Sequence, residues 1–366
     1  GSGKNSLIYI EEQAGTITNH GTIILNYPGV VSRTLFIGNT LEALNNTGYI
    51  TGSNIVVAFE NSGKLGTLTN SGTIESSNAN RGTFEIANSN QIGGITLTGN
   101  GAINHNNDRD VFRLSGQSQI GNITLNDNSS IRGNFNLSNS ATIGTITIGG
   151  NSTGGSGNNA SLTGNISLNG SSRISKILID GSNSSGANGT PKLDGDITLT
   201  TSQGITNGIT IANGGTLDGN INARNSSSIG GIAINNGSLI GSISLTHTSN
   251  ITGGINVQNG TITNNISAVG GARIDSINIT GGRVGGNISA NWDSAGNGIG
   301  TINQITITGG EVGGNIELAN DNTMTNGMTL NNGTINGAIN LNIGTTDGSV
   351  ASIPTISLQN ASTIAN

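Results

Sequence analysis

Short alternations of apolar and polar residues, separated by glycine and asparagine, run along most of this chain and predict β-strands joined by tight turns. From residue 92 onward two half-units alternate. The first reads apolar-x-x-apolar-x-apolar, as in Ile229-Gly-Gly-Ile232-Ala-Ile234, and the second reads apolar-x-Gly-Asn-apolar-x-apolar, as in Leu162-Thr-Gly-Asn-Ile166. Inside each half-unit the apolar period is two, which is the period of a strand with one buried face. The chain is therefore predicted to be all-β.

The two half-units together recur every 22–23 residues, as at Ile221, Ile243 and Ile266. A unit of this length cannot bury its apolar side alone, whereas stacked units bury a continuous core. We therefore predict a right-handed parallel β-helix, or β-solenoid, of about 22–23 residues per coil with a few loop insertions. The right hand is expected because parallel crossover connections nearly always have it. A left-handed solenoid with hexapeptide repeats is the alternative, but the sequence has no six-residue period.

Stacked coils place equivalent residues in columns, with neighbours ~4.8 Å apart. Two columns are predicted to form the core. The first contains Ile146, Ile177, Ile209, Ile232, Ile255, Ile277, Ile305 and Met328. The second contains Phe135, Ile166, Ile197, Ile221, Ile243, Ile266, Ile288, Ile316 and Ile339.

A polar column precedes the second apolar column and predicts a structural ladder at a turn. Its members are Asn134, Asn165, Asp196, Asn220, Ser242, Asn265, Asn287 and Asn315. Asparagine tolerates the left-handed backbone of tight turns, and stacked side-chain amides can bond from coil to coil. A simple preference for polar residues at a solvated turn is the alternative.

The repeat pattern divides the chain into segments. Residues 1–3 are interpreted as a cloning remnant, residues 4–90 as irregular N-terminal coils and residues 91–366 as regular β-helix. The N-terminal coils repeat Asn-x-Gly-x-apolar, as in Asn70-Ser-Gly-Thr-Ile74. Insertions interrupt the regular region at 104–117, 149–160, 180–191 and 291–300.

Composition narrows the possible functions. The chain has 61 Gly but only three Pro, 9% charged residues and a net charge of −6, which disfavours both disorder and nucleic-acid binding. It has no cysteine, which removes disulfides, thiol catalysis and cysteine metal sites. No apolar run approaches the ~20 residues of a membrane span. No signal peptide is visible, and the native ends are expected to be missing.

The repeats NSGTI at residues 70–74 and NNGTI at residues 331–335 carry a family resemblance. The chain resembles the passenger region of a Gram-negative autotransporter, a type V secreted protein, over nearly its whole length. The resemblance implies an adhesin-like passenger fragment that lies on the bacterial cell surface, at the extracellular face of the outer membrane, or is secreted. It also implies that the only link to a membrane is a C-terminal translocator barrel, which this chain lacks.

The function expected from this resemblance is non-catalytic: adhesion to host cells or self-association, as in cell aggregation and biofilm. The implied partners are a host-cell receptor or glycan, or another copy of the chain, and no cofactor is expected. A polysaccharide-binding or polysaccharide-cleaving β-helix is one alternative, and a vacuolating-cytotoxin-like passenger is another.

Several residues are candidates for a site despite this expectation. No Gly-Asp-Ser-Gly type loop accompanies His20, His105 and His247, so a serine protease is not predicted. Trp292, beside Asp293 on an insertion, is a candidate for stacking on a sugar, and packing over the coils is the simpler interpretation.

Two further groups contain paired acidic residues. Asp108, Arg109 and Asp110 form a dense cluster that predicts either a binding site or a local salt-bridge loop. Asp194 and Asp218 occupy equivalent positions one coil apart, and such a pair can bind Ca²⁺ or act as an acid pair. Solvated turn residues are the simpler interpretation, and no metal site is predicted.

Overall fold

The computed structural model describes residues 5–27, 32–60, 62–77, 81–106, 109–150, 159–182, 190–201, 204–293, 298–319, 321–343 and 350–365. Within these residues the regular elements are strands, and no helix there is long and apolar enough to cross a membrane. The chain forms two compact units, Gly1–Gly195 and Asp196–Asn366.

The first unit is a right-handed parallel β-solenoid whose described coils each contribute one strand to sheet 1, then sheet 2, then sheet 3. Its sheet 1 contains Ser6–Ile10, Arg33–Ile37, Ile55–Phe59, Phe84–Ile86, Asp110–Leu114, Asn134–Leu137 and Ile166–Asn169. Its sheet 2 contains Gln13–Asn19, Thr40–Asn46, Lys64–Asn70, Gln91–Leu97, Gln119–Leu125, Thr142–Gly149 and Arg173–Asp180. Its sheet 3 contains Thr22–Leu25, Tyr49–Gly52, Thr73–Ser76, Ala102–His105, Ser130–Arg132, Ser161–Thr163 and Lys192–Asp194.

The second unit has the same three-sheet plan, with most sheet 2 strands broken in two. Its sheet 1 contains Ile197–Thr200, Ile221–Arg224, Ile243–Thr246, Ile266–Val269, Ile288–Asn291, Ile316–Ala319 and Ile339–Ile343. Its sheet 2 contains Gly204–Ile205, Ile209–Ala212, Ser228–Ile229, Ile232–Asn235, Asn250–Ile251, Ile255–Gln258, Arg273–Ile274, Ile277–Thr280, Thr301–Ile302, Ile305–Thr308, Met328–Asn331 and Ile356–Gln359. Its sheet 3 contains Thr216–Asp218, Ser238–Ile240, Thr261–Ile262, Arg283–Val284, Glu311–Val312, Thr334–Ile335 and Thr363–Ile364.

The strand registers confirm the predicted fold class and both apolar columns. Ile232 pairs with Ile255, which pairs with Ile277, in sheet 2 of the second unit. Within sheet 1, Phe135 pairs with Ile166. The column members are buried, except that Ile339 is half-buried. Isoleucine suits these positions because a β-branched side chain packs well on the pleated surface of a strand.

Each coil has three sides, although the sequence shows two half-units. The second half-unit supplies two strands: Leu162 lies in sheet 3 and Ile166 lies in sheet 1. The turn between them is Gly164-Asn165, and Gly164 has φ of 143°, which only glycine adopts readily. The Gly-Asn pair in the repeat is therefore the corner that joins two sheets.

The insertions lengthen particular coils without breaking the ladders. Equivalent corner residues are 22 apart between Asn220 and Ser242 but 31 apart between Asn134 and Asn165. The middle parts of three insertions, 151–158, 183–189 and 294–297, lie outside the described residues. Part of the fourth, Asp110–Leu114, is itself a sheet 1 strand with a register shift between Asp110 and Phe112.

Candidate binding surface

The predicted polar column forms hydrogen bonds from coil to coil at the corner between sheet 3 and sheet 1. In the first unit the N–H of Asn165 donates to Asn134 Oδ1 at 2.8 Å. In the second unit the corresponding distances are 2.7 Å from Asn220 N to Asp196 Oδ1, 3.0 Å from Ser242 N to Asn220 Oδ1, 2.8 Å from Asn287 N to Asn265 Oδ1, 2.9 Å from Asn315 N to Asn287 Oδ1, and 2.9 Å from Ala338 N to Asn315 Oδ1.

The bonding in this column differs in two details from the expected arrangement. The donor at every step is the backbone N–H of the next coil, and at Asp196 the side-chain amide of Asn220 donates as well, at 3.2 Å, so an aspartate serves as well as an asparagine. The left-handed residue is the preceding glycine, with φ of 128° at Gly133 and 155° at Gly219. The role of the column is thus to satisfy corner amides that the sheets cannot pair.

Replacing Asn265 by alanine is expected to destabilise the second unit by about 1 kcal/mol, because the corner amide of Asn287 loses its acceptor. Replacing it by aspartate is expected to cost less than half as much, since the carboxylate keeps an oxygen at the same position. Urea unfolding of both variants measures the difference. Equal losses in the two variants would show that the hydrogen bond contributes nothing.

A second ladder was not recognised in the sequence, and it is buried. Asn19 Nδ2 donates to Asn46 Oδ1, and Asn46 Nδ2 donates to Asn70 Oδ1, both at 2.7 Å. Asn46 Nδ2 also reaches the carbonyls of Gly48 and Thr73 at 3.2 and 3.3 Å. The Asn-x-Gly repeat of the N-terminal coils was the available signal, because its asparagine ends a sheet 2 strand at Asn19, Asn46 and Asn70.

Trp292 and Asp293 lie together at the end of a sheet 1 strand in the second unit. Trp292 is half-buried, forms an antiparallel bridge with Ile299, and its Nε1 is buried with no hydrogen-bond partner among the described residues. Less of the indole face is therefore available for stacking on a ligand than in an exposed tryptophan.

The structure brings a histidine to Asp293 that the sequence did not associate with it. His247 Nε2 lies 3.9 Å from Asp293 Oδ2. The coil between them carries Gly270, whose missing Cβ would lie 2.7 Å from the Asp293 Cβ. The short distance between His247 and Asp293 depends on that glycine. Parallel pairing of Thr246 with Val269, and of Val269 with Asn291, brings the two residues to neighbouring places in the sheet.

The structure describes two of the three residues in the charged cluster at 108–110. Asp108 lies outside the described residues. Arg109 is exposed, and its carbonyl accepts a backbone hydrogen bond from Asn134. Asp110 Oδ2 instead lies 3.0 Å from Arg113 Nη2, and Arg113 Nη1 lies 3.8 Å from Glu85 Oε1.

Asp194 and Asp218 belong to different units. Asp194 Oδ2 lies 3.3 Å from Lys192 Nζ on the outer face of sheet 3 in the first unit. Asp218 ends a sheet 3 strand in the second unit and pairs with Ile240. Among the described residues, no group of three or more His, Asp or Glu side chains is arranged to hold a metal ion.

The outer faces of the sheets carry small polar side chains in register. On sheet 1 of the second unit the outward column is Thr198, Asn222, Ser244, Ser267, Ser289, Glu317 and Asn340, of which Ser289 is buried. On sheet 2 of the second unit it is Thr210, Ala233, Asn256, Asn278, Thr306, Thr329 and Ser357. A groove of about 380 Å³ lies at the break of two sheet 2 strands, floored by Gly230 and Gly231.

No protein-family model, curated protein or solved structure matches this chain. Function is therefore inferred from the residues and the geometry alone. A parallel β-solenoid of this kind is compatible with autotransporter passenger domains.

Proposed function

We propose that this chain is a non-catalytic passenger fragment of an autotransporter-type surface protein, and that it acts by self-association or adhesion at the bacterial cell surface. The observation that carries the proposal is the outward column on sheet 1 of the second unit. Six of its seven members in the described chain carry a hydroxyl or amide group and the seventh is the carboxylate of Glu317; Ser289 is buried and the other members are half-buried.

Such a face is complementary to a second copy of itself. Hydroxyl and amide side chains each donate and accept hydrogen bonds, so the same surface supplies both partners in an isologous contact. Each contact is weak, but the regular spacing of ~4.8 Å lets many form together. Two of the candidate carboxylates, Asp110 and Asp194, form ion pairs with Arg113 and Lys192, which favours a structural role for them.

The double variant Asn222→Glu with Ser267→Glu is expected to abolish self-association, because it places like charges on alternate coils of the proposed contact face. Sedimentation velocity over a concentration series measures the assembly, and beads coated with the chain report clumping and binding to host cells. The matched control is Asn256→Glu with Thr306→Glu, which adds the same charge to the outer face of sheet 2.

If the wild-type chain assembles and the sheet 1 variant assembles equally well, sheet 1 is not the contact face. A wild-type chain that stays monomeric at high concentration, on beads that neither clump nor bind host cells, would remove the proposed function.

A further inference from the structure

One turn position in the second unit changes from asparagine to glycine in two successive coils and leaves a notch. The position joins sheet 2 to sheet 3 and is left-handed, with φ of 50° at Asn259, 63° at Gly281, 61° at Gly309 and 53° at Asn332. In each of these coils its N–H donates to the carbonyl of the next coil. The two asparagines are three coil spacings apart, about 14 Å. The side-chain oxygen of Asn259 lies over Gly281, so the open part of the notch is at Gly309.

A groove of about 330 Å³ occupies the notch. The exposed turn residues form its rim, and the buried backbone of Gly282 and Gly310 forms its floor. A Cβ on Gly309 would meet nothing within 4 Å, which shows how open the notch is at that coil.

An ion pair forms one side of the groove. Arg283 and Glu311 are register partners in sheet 3, and Arg283 Nε donates to Glu311 Oε1 at 3.1 Å. Asn336 Nδ2 donates to the same oxygen at 2.7 Å. Glu311 is thus held from two sides, so little side-chain entropy remains to be lost when a ligand binds.

We propose that this groove binds a neutral saccharide of two or three sugar units. This inference shares one premise with the proposed function, namely that the outer surface of the solenoid is a binding surface. Sugar hydroxyls donate and accept hydrogen bonds. The rim amides of Asn259 and Asn332 do both, the guanidinium of Arg283 supplies further donors, and the carboxylate of Glu311 supplies acceptors.

Charge favours a neutral ligand over an anionic one. Arg283 and Glu311 neutralise each other within the groove, and the chain has a net charge of −6, so the long-range field repels anions. A peptide fits this groove less well. Peptide-binding grooves recognise side chains through apolar pockets, whereas this groove is lined by Gly, Asn, Thr, Arg and Glu.

The variant Gly309→Asn tests the groove while keeping the turn. It introduces the side chain that Asn259 and Asn332 already carry at the same left-handed position, in a place with free space. The probes are lactose, cellobiose and N,N′-diacetylchitobiose, measured on the full chain by saturation-transfer NMR and calorimetry. Wild type is expected to bind at least one, and Gly309→Asn is expected to weaken that binding by about tenfold or more.

Two further variants distinguish a blocked groove from a misfolded protein. Glu311→Gln removes the carboxylate and is expected to weaken binding by about tenfold, the value of one hydrogen bond to a charged group. The control is Gly99→Asn in the first unit, where φ is 60° and a Cβ likewise meets nothing within 4 Å. It is expected to bind as wild type does and to unfold at the same temperature as Gly309→Asn.

The proposal is overturned if wild type binds none of the three sugars at millimolar concentration, or if Gly309→Asn binds them as wild type does. Tighter binding of sialyllactose than of lactose would also overturn it, since the ligand would then be anionic. Sedimentation of the same proteins tests the proposed function separately: Gly309→Asn is expected to self-associate as wild type does. A wild-type chain that binds sugar but stays monomeric removes self-association and leaves the saccharide site standing.

Discussion

Changing Asn46 to aspartate is expected to destabilise the N-terminal coils of the first unit by roughly 3–5 kcal/mol, the cost of leaving a buried charge without a partner. Asn46 is 1% exposed and is the middle member of the buried ladder. Its Nδ2 donates to Asn70 Oδ1 and to two backbone carbonyls. A carboxylate at this position donates nothing, so four oxygens would face one another without a proton between them.

Hydrogen exchange of peptides covering 13–25, 40–52 and 64–76 is the appropriate readout, because a solenoid loses stability locally around the altered coil. The matched control is Asn45→Asp, the same chemical change on the outer side of the same strand, which is expected to shift stability by less than about 0.5 kcal/mol. Equal exchange rates in the two variants would show that the ladder carries no stability.

Replacing Phe112 by alanine is expected to cost about 3–5 kcal/mol, the range for removing a phenyl ring from a packed core. Phe112 is fully buried, and its ring lies between those of Phe84 and Phe135, with centroids 4.9 Å away on either side. Its loss opens a cavity between two coils that each keep a ring facing it.

The urea midpoint of the first unit measures this loss. Arg113→Ala, on the neighbouring outward side chain, removes an exposed ion pair and is expected to cost less than about 1 kcal/mol. Phe112→Leu keeps part of the volume and is expected to fall between the two. An alanine variant no less stable than Arg113→Ala would contradict a packed interior aromatic stack.

The apolar columns were predictable because their signal is local and repeated. Ile232 and Ile255 occupy the same position in two copies of one motif and pair in the sheet. If one of these side chains is buried, the other is expected to be buried as well. The polar corner column was predictable for the same reason, since each member except Asn265 follows a glycine. The form of its hydrogen bonds was not, because the donor belongs to the backbone of the next coil.

The repeat pattern could not predict contacts between residues that occupy different positions in the repeat. His247 approaches Asp293 only because the coil between them carries Gly270 at the matching place. Asn46 and the neighbouring Asn45 face opposite sides of one strand, and Asn45 pairs with Thr18 and Thr69 on the outer side. The side each faces depends on where the strand ends relative to the turn.

The sequence by itself determined the strands, the parallel stacking and the interior columns of this protein, because an alternation of period two and a repeat near 22 residues leave few other ways to bury isoleucine. Tertiary structure decided which surface residues meet, including the notch at Gly281 and Gly309. The physical reason is that coils differ in length, from 22 to 31 residues between corner asparagines, so the residues that become neighbours depend on how each insertion shifts the count.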